Sequence, residues 1–135
     1  MSKPTTQADI AAYSKKIAAA KRLLAAQKAR TNFLDFAQLM MPDVEDPDNV
    51  DKSRFLVAPH HKLLAEALEK VARGEILRLC ISLAPRHGKS EMISYLAPAW
   101  FLGKFPHKKV IMASHTADLA VNFGRRVRNL VGSDL

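Results

Sequence analysis

The chain has 135 residues, a net charge of +8, 48% hydrophobic and 25% charged residues, the make-up of one small folded domain rather than of a collagen-like, low-complexity or wholly disordered chain. Its longest apolar stretch, residues 93–102, is interrupted by Ser94, Tyr95 and Pro98 and is shorter than the roughly 20 residues of a membrane span, so no membrane partner is expected. A single cysteine, Cys80, and no signal-peptide pattern point to a reducing cytoplasm; within its apolar run Cys80 reads as a buried small hydrophobe.

Residues 1–30 hold +6 of the net charge. They are rich in Ala, Lys, Leu and Gln, with no Gly and no Pro after Pro4, and predict one exposed helix over 6–30. Its apolar positions, Ile10, Tyr13, Ile17 and Leu24, make a thin stripe, as in a solvated arm or in a helix that contacts nucleic acid or an acidic partner. Residues 31–53 form the next segment. Thr31-Asn32 is a candidate cap for a short core helix carrying Phe33, Phe36, Ala37, Leu39 and Met40, stopped by Pro42. Five carboxylates follow between Asp43 and Asp51; they lack calcium-loop spacing and read as a solvated loop.

Residues 54–135 form the third segment. His60-His61 opens an amphipathic helix with Leu63, Leu64, Ala67, Leu68 and Val71 on one face, closed by Gly74. The apolar run Ile76 to Leu83 reads as a doubly buried parallel strand, and Lys108 to Ser114 as a second one. Helices are predicted over 91–102, kinked or ended by Pro98, and over 117–131, capped by Ser114 or Thr116. The expected fold class is therefore α/β: N-terminal helices, then an incomplete parallel-sheet unit in the order β-loop-α-β-α.

Gly88-Lys89-Ser90, between a predicted strand and a helix, has the form of the second half of a phosphate-binding loop. Glycine permits the tight turn, backbone N–H groups and the helix N-terminus face the phosphates, Lys89 reaches the β and γ oxygens, and the Ser90 hydroxyl coordinates magnesium. The full pattern has a glycine where this chain has Leu83, which makes the loop a deviant Walker A. Arg86 places a guanidinium beside the phosphates, where it would stabilise γ-phosphate charge, or is a plain surface arginine. His87 would shape the loop through its backbone.

The blocks Gly74 to Arg78, Leu83-Ala84-Pro85-Arg86-His87-Gly88-Lys89-Ser90-Glu91, Pro98 to Gly103, Ala113 to Ala120 and Phe123 to Arg128, with Pro59-His60-His61 before them, closely resemble the large terminase subunit of tailed bacteriophages and prophages. The resemblance covers roughly residues 55–135. It implies a RecA-like P-loop ATPase of a motor that drives viral DNA into a procapsid, with a nuclease in its C-terminal half. Carried over residue by residue, it implies Lys89 and Arg86 as catalytic residues, an ATP site formed by Pro85, Arg86, His87, Gly88, Lys89, Ser90, Glu91 and His61, and Mg2+ on Ser90. Partners implied are double-stranded viral DNA, the small terminase subunit, the portal protein and other large-subunit copies, in the host bacterial cytoplasm and transiently at the procapsid portal. Related ATPases have an adenine-recognising glutamine near the position of His60-His61; this chain has none there. No apolar run ending in Asp-Glu follows Ser90, so the Walker B acid and the nuclease carboxylates are missing, and the chain is expected to be an N-terminal portion that binds nucleotide without turning it over.

Two other classes compete. One is a different P-loop enzyme, such as a nucleotide kinase or a helicase-type ATPase. The other is a non-catalytic truncated prophage module that binds DNA or a terminase partner through its basic N-terminal helix. Arg125, Arg126 and Arg128 form a second basic cluster on the last helix, either a solvated face or a contact for DNA or a neighbouring subunit.

Overall fold

A computed structural model describes residues 7–133. The chain divides into two compact units, Met1–Leu56 and Val57–Leu135. Residues 1–6 of the expected basic arm, and Asp134 and Leu135, lie outside the described residues.

In the first unit, α1 (Gln7–Thr31) and α2 (Phe33–Met40) pack against each other. Helix α1 is built from strong helix formers but has little to bury: Ile10, Tyr13, Ile17 and Leu24 are exposed, and Ala29 is its buried residue. Asn32 breaks the two helices apart with an extended backbone, and its side-chain oxygen accepts the Asp35 N–H at 3.0 Å as an N-cap. Helix α2 buries Phe33 and Ala37. Complete burial of a side chain such as Phe33 stabilises by about 1.5–3 kcal/mol. The helix ends before Pro42, whose ring disfavours helical geometry at Met41.

The acidic loop is folded by its charges. Asp43 Oδ1 accepts the backbone N–H groups of Glu45 and Asp46, Lys52 reaches Asp46 at 3.2 Å, and Lys21 of α1 reaches Asp51 at 2.5 Å. These pairs are exposed, so each contributes little net stability. Among the described residues no group of carboxylates, histidines or cysteines is arranged to hold a metal ion.

In the second unit, Pro59 occupies the first turn of α3 (Pro59–Ala72), where its missing N–H costs nothing, and Gly74 follows the helix at φ +78°. A π-helical turn, Glu91–Leu96, runs into α4 (Ala97–Lys104). The Ala97 N–H bonds the Met92 carbonyl five residues back, and Pro98, which has no N–H, sits in the first turn of α4. Pro98 thus marks the change from π to α geometry, where the sequence suggested a kink or an end. Helix α5 (Ala117–Val131) packs against both α4 and the π turn. Met92, Leu96, Ala99, Trp100 and Val127 are buried at this junction.

The expected α/β class is incorrect for this chain. Among the described residues there is no strand and no sheet, only one isolated antiparallel bridge between Pro42 and Ser53, so there is no RecA-like parallel-sheet P-loop unit and no β-loop-α-β-α crossover. Residues 76–83 and 108–114 are irregular. A strand exists only through a ladder with a neighbour, and these two apolar runs do not pair with each other or with anything else described. Their side chains are correspondingly open: Leu77 is 89% and Ile111 94% exposed. Cys80, expected to be buried, is exposed in the same run. No helix of the described residues is long and apolar enough to cross a membrane.

Candidate functional site

Residues 85–90 make a turn that feeds directly into a helix. The backbone is left-handed at Arg86 (φ 63°) and at Gly88 (φ 77°) but not at His87 between them. Tight turns with such positive-φ residues are the setting in which backbone nests bind anions. Glycine adopts a positive φ freely; arginine does so at a cost, and such strain in a non-glycine residue collects at functional positions. The Met92 N–H bonds the Gly88 carbonyl at 3.0 Å. Lys89, Ser90 and Glu91 therefore form the first helical turn, whose N–H groups have no intrahelical acceptor. The side chains of Arg86, Lys89 and Ser90 are exposed and make no hydrogen bond or ion pair among the described residues.

The start of α3 holds this loop. His61 Nδ1 accepts the Ala58 N–H at 3.1 Å, which places the ring proton on Nε2. That Nε2–H faces the His87 carbonyl at 3.3 Å, and His60 Nε2 faces the same oxygen at 3.3 Å. The two adjacent histidines converge, with ring centroids 4.0 Å apart. His87 donates from Nδ1 to the Pro85 carbonyl at 2.8 Å, closing the turn on itself. The histidines therefore act on the loop backbone, and His61 fits closely against Gly88: a Cβ there would lie 3.2 Å from His61 Nε2.

Behind the loop, Glu91 is engaged by α5. Arg126 Nη2 donates to both carboxylate oxygens of Glu91, at 3.0 and 2.9 Å, and its guanidinium lies 4.1 Å from the Tyr95 ring centroid. The hydrogen bond to Glu91 holds the Arg126 guanidinium above its ordinary pKa. Arg126 thus leaves the basic cluster expected on this helix, while Arg125 and Arg128 stay exposed on it.

The structure brings together Pro85, Arg86, His87, Gly88, Lys89, Ser90 and His61; the Glu91 carboxylate turns to Arg126, leaving its backbone N–H for the loop. Sequence reasoning missed the left-handed Arg86 and the link from Glu91 to Arg126. An apolar groove of about 570 Å³ runs between α4, α5 and residues 110–112, lined by Leu102, Met112, Val121 and Val127 among others. None of its lining residues belongs to the loop. No protein-family model, no curated protein and no solved structure matches this chain.

Proposed function

We propose that the loop Pro85 to Glu91 binds the polyphosphate of ATP with magnesium, and that the chain is the nucleotide-binding part of an ATP-driven motor that packages viral DNA, as in the large terminase subunits it resembles. One observation carries the binding reading: a strained left-handed Arg86 and a left-handed Gly88 stand immediately before a helix whose first turn presents unengaged Lys89 and Ser90. Strain at Arg86 is hard to account for in a plain surface turn, and three uncommitted donors with an open helix start form an anion site. Lys89 and Arg86 would supply counter-charge to the phosphates. The Ser90 hydroxyl suits magnesium, a hard cation that takes oxygen ligands and supplies further charge neutralisation when bound. His61 would act by holding the loop, through the His87 carbonyl. Glu91, already bound by Arg126, is not placed to orient a water, so binding without turnover is expected. Viral DNA, the small subunit, the portal protein and further copies of the chain are its proposed partners, in the bacterial cytoplasm.

Calorimetry of ATP and ADP with magnesium tests this, using the chain and its Lys89→Ala variant, with turnover followed in the same samples. Saturable binding lost in the variant supports the reading; equal behaviour of the two proteins removes it.

A second reading, a non-catalytic binding module, draws on α1, whose 25 residues are exposed almost throughout. Lys21 and Arg22 face Asp51 and Asp48 within the unit, so charge reversal there would also change contacts inside the unit. Lys15→Glu with Lys16→Glu is the cleaner probe. If a double-stranded DNA fragment binds the chain and this variant equally, α1 is not the contact.

A further inference from the structure

The first helical turn after the loop contains a contradiction that the Arg126 contact resolves. A site for polyphosphate is assembled from Arg86, Lys89 and Ser90, yet the next residue, Glu91, carries a carboxylate. An unpaired negative charge beside a bound polyanion opposes it, most strongly where the ligand carries most charge. Here the carboxylate is engaged at both oxygens by a residue 35 positions later in the chain. The guanidinium is itself fixed, over the Tyr95 ring at 4.1 Å and near the Phe123 ring at 5.9 Å. Tyr95 belongs to the π turn that Glu91 opens and Phe123 to α5, so both elements contribute to holding the partner of Glu91. A planar guanidinium suits this combination of stacking and carboxylate binding better than a lysine ammonium.

We infer that Arg126 is a positioning residue for the loop: it holds the Glu91 carboxylate against α5 and cancels its charge, so that Lys89 and Ser90 face polyphosphate without an opposing negative group. This rests on the phosphate-binding reading above. It differs from a plain structural brace in one respect, since its effect must scale with ligand charge and must shrink to the weaker pull of a free Arg126 cation when Glu91 is made neutral.

The test is calorimetry with inorganic tripolyphosphate, pyrophosphate and phosphate at fixed ionic strength without magnesium. The proteins are the full chain and its Lys89→Ala, Glu91→Gln, Arg126→Gln and Glu91→Gln/Arg126→Gln forms, with helix content followed by circular dichroism. Arg126→Gln is expected to weaken tripolyphosphate binding about tenfold and phosphate binding less. The double variant should recover most of that loss. Glu91→Gln alone should bind tripolyphosphate about two- to threefold more tightly, because Arg126 is then an uncompensated cation near the loop. An equal loss for all three anions without recovery in the double variant overturns the inference, as does weaker binding by Glu91→Gln, which decides the matter even if Arg126→Gln unfolds. Equal binding by the wild-type and Lys89→Ala chains removes the phosphate reading itself, and the inference with it.

Discussion

His61 and Gly88 are fitted to one another: the Nε2 atom that faces the His87 carbonyl stands 3.2 Å from where a Cβ on Gly88 would lie. Gly88 is also left-handed, at φ 77°. Gly88→Ala therefore meets two penalties, the left-handed backbone and the imidazole, and should destabilise the second unit by about 1–2 kcal/mol. Urea unfolding followed by circular dichroism measures it. In a His61→Ala background the steric part disappears, so the same substitution should cost less there. Strictly additive effects would show that the imidazole does not press on this position.

Arg86 presents the opposite case, a side chain kept where glycine would be more comfortable. At φ 63° an L residue pays about 1–2 kcal/mol, against roughly 0.5–1 kcal/mol for the greater unfolded-state freedom of glycine. Arg86→Gly should thus raise stability by about 0.5–1 kcal/mol while weakening tripolyphosphate binding through loss of the guanidinium. Higher stability with unchanged binding would mean that the arginine does not serve the anion site.

The acidic loop of the first unit carries a pH response of known sign. Hydrogen bonds from Asn49 and then Lys52 hold the Asp46 carboxyl below its ordinary value of 3.8. A carboxyl depressed in the folded state stabilises fully above its unfolded value, and that contribution is lost as pH falls through the folded one. The Asn49 side-chain amide and the Lys52 contact should therefore stay native at pH 5 and loosen below about pH 4. The Asn49 side-chain amide resonances in an acid titration report this directly. Asp46→Asn should abolish the acid step at those resonances.

The elements that could be read from the sequence are those whose causes are local. Composition alone foretells the long helix α1, Asn32 and Pro42 bracket α2, and the apolar face after His60-His61 with Gly74 at its end marks α3. The runs Ile76 to Leu83 and Lys108 to Ser114 misled because apolar, β-branched composition describes a strand only once a partner ladder exists, and partner supply is not a local property. The site divides along the same line. Gly88-Lys89-Ser90 signals a tight turn before a helix, and that is where the loop lies. The left-handed Arg86 leaves no mark in composition, and the pairing of Glu91 with Arg126 joins residues too far apart in sequence for any spacing rule. The convergence of His60 and His61 on one carbonyl depends on where the loop folds back, which the helix periodicity of α3 does not contain.

The openness of residues 76–83 is itself measurable, because the run contains the single cysteine. A thiol in a packed strand reacts only after opening, whereas an exposed one reacts from the native state. Cys80 should therefore label with a neutral thiol reagent at a rate nearly independent of sub-denaturing urea and close to that of the unfolded chain. Leu77 and Ile111 provide the energetic counterpart. Their near-complete exposure leaves little apolar burial to lose, so Leu77→Lys and Ile111→Lys should each change unfolding free energy by less than about 0.5 kcal/mol. They should also reduce binding of a hydrophobic dye and self-association, since each removes an exposed apolar side chain from a surface with unpaired backbone. Slow, urea-dependent labelling of Cys80 together with a large cost for either lysine would show that these runs are buried in solution, and would overturn the open arrangement described for them.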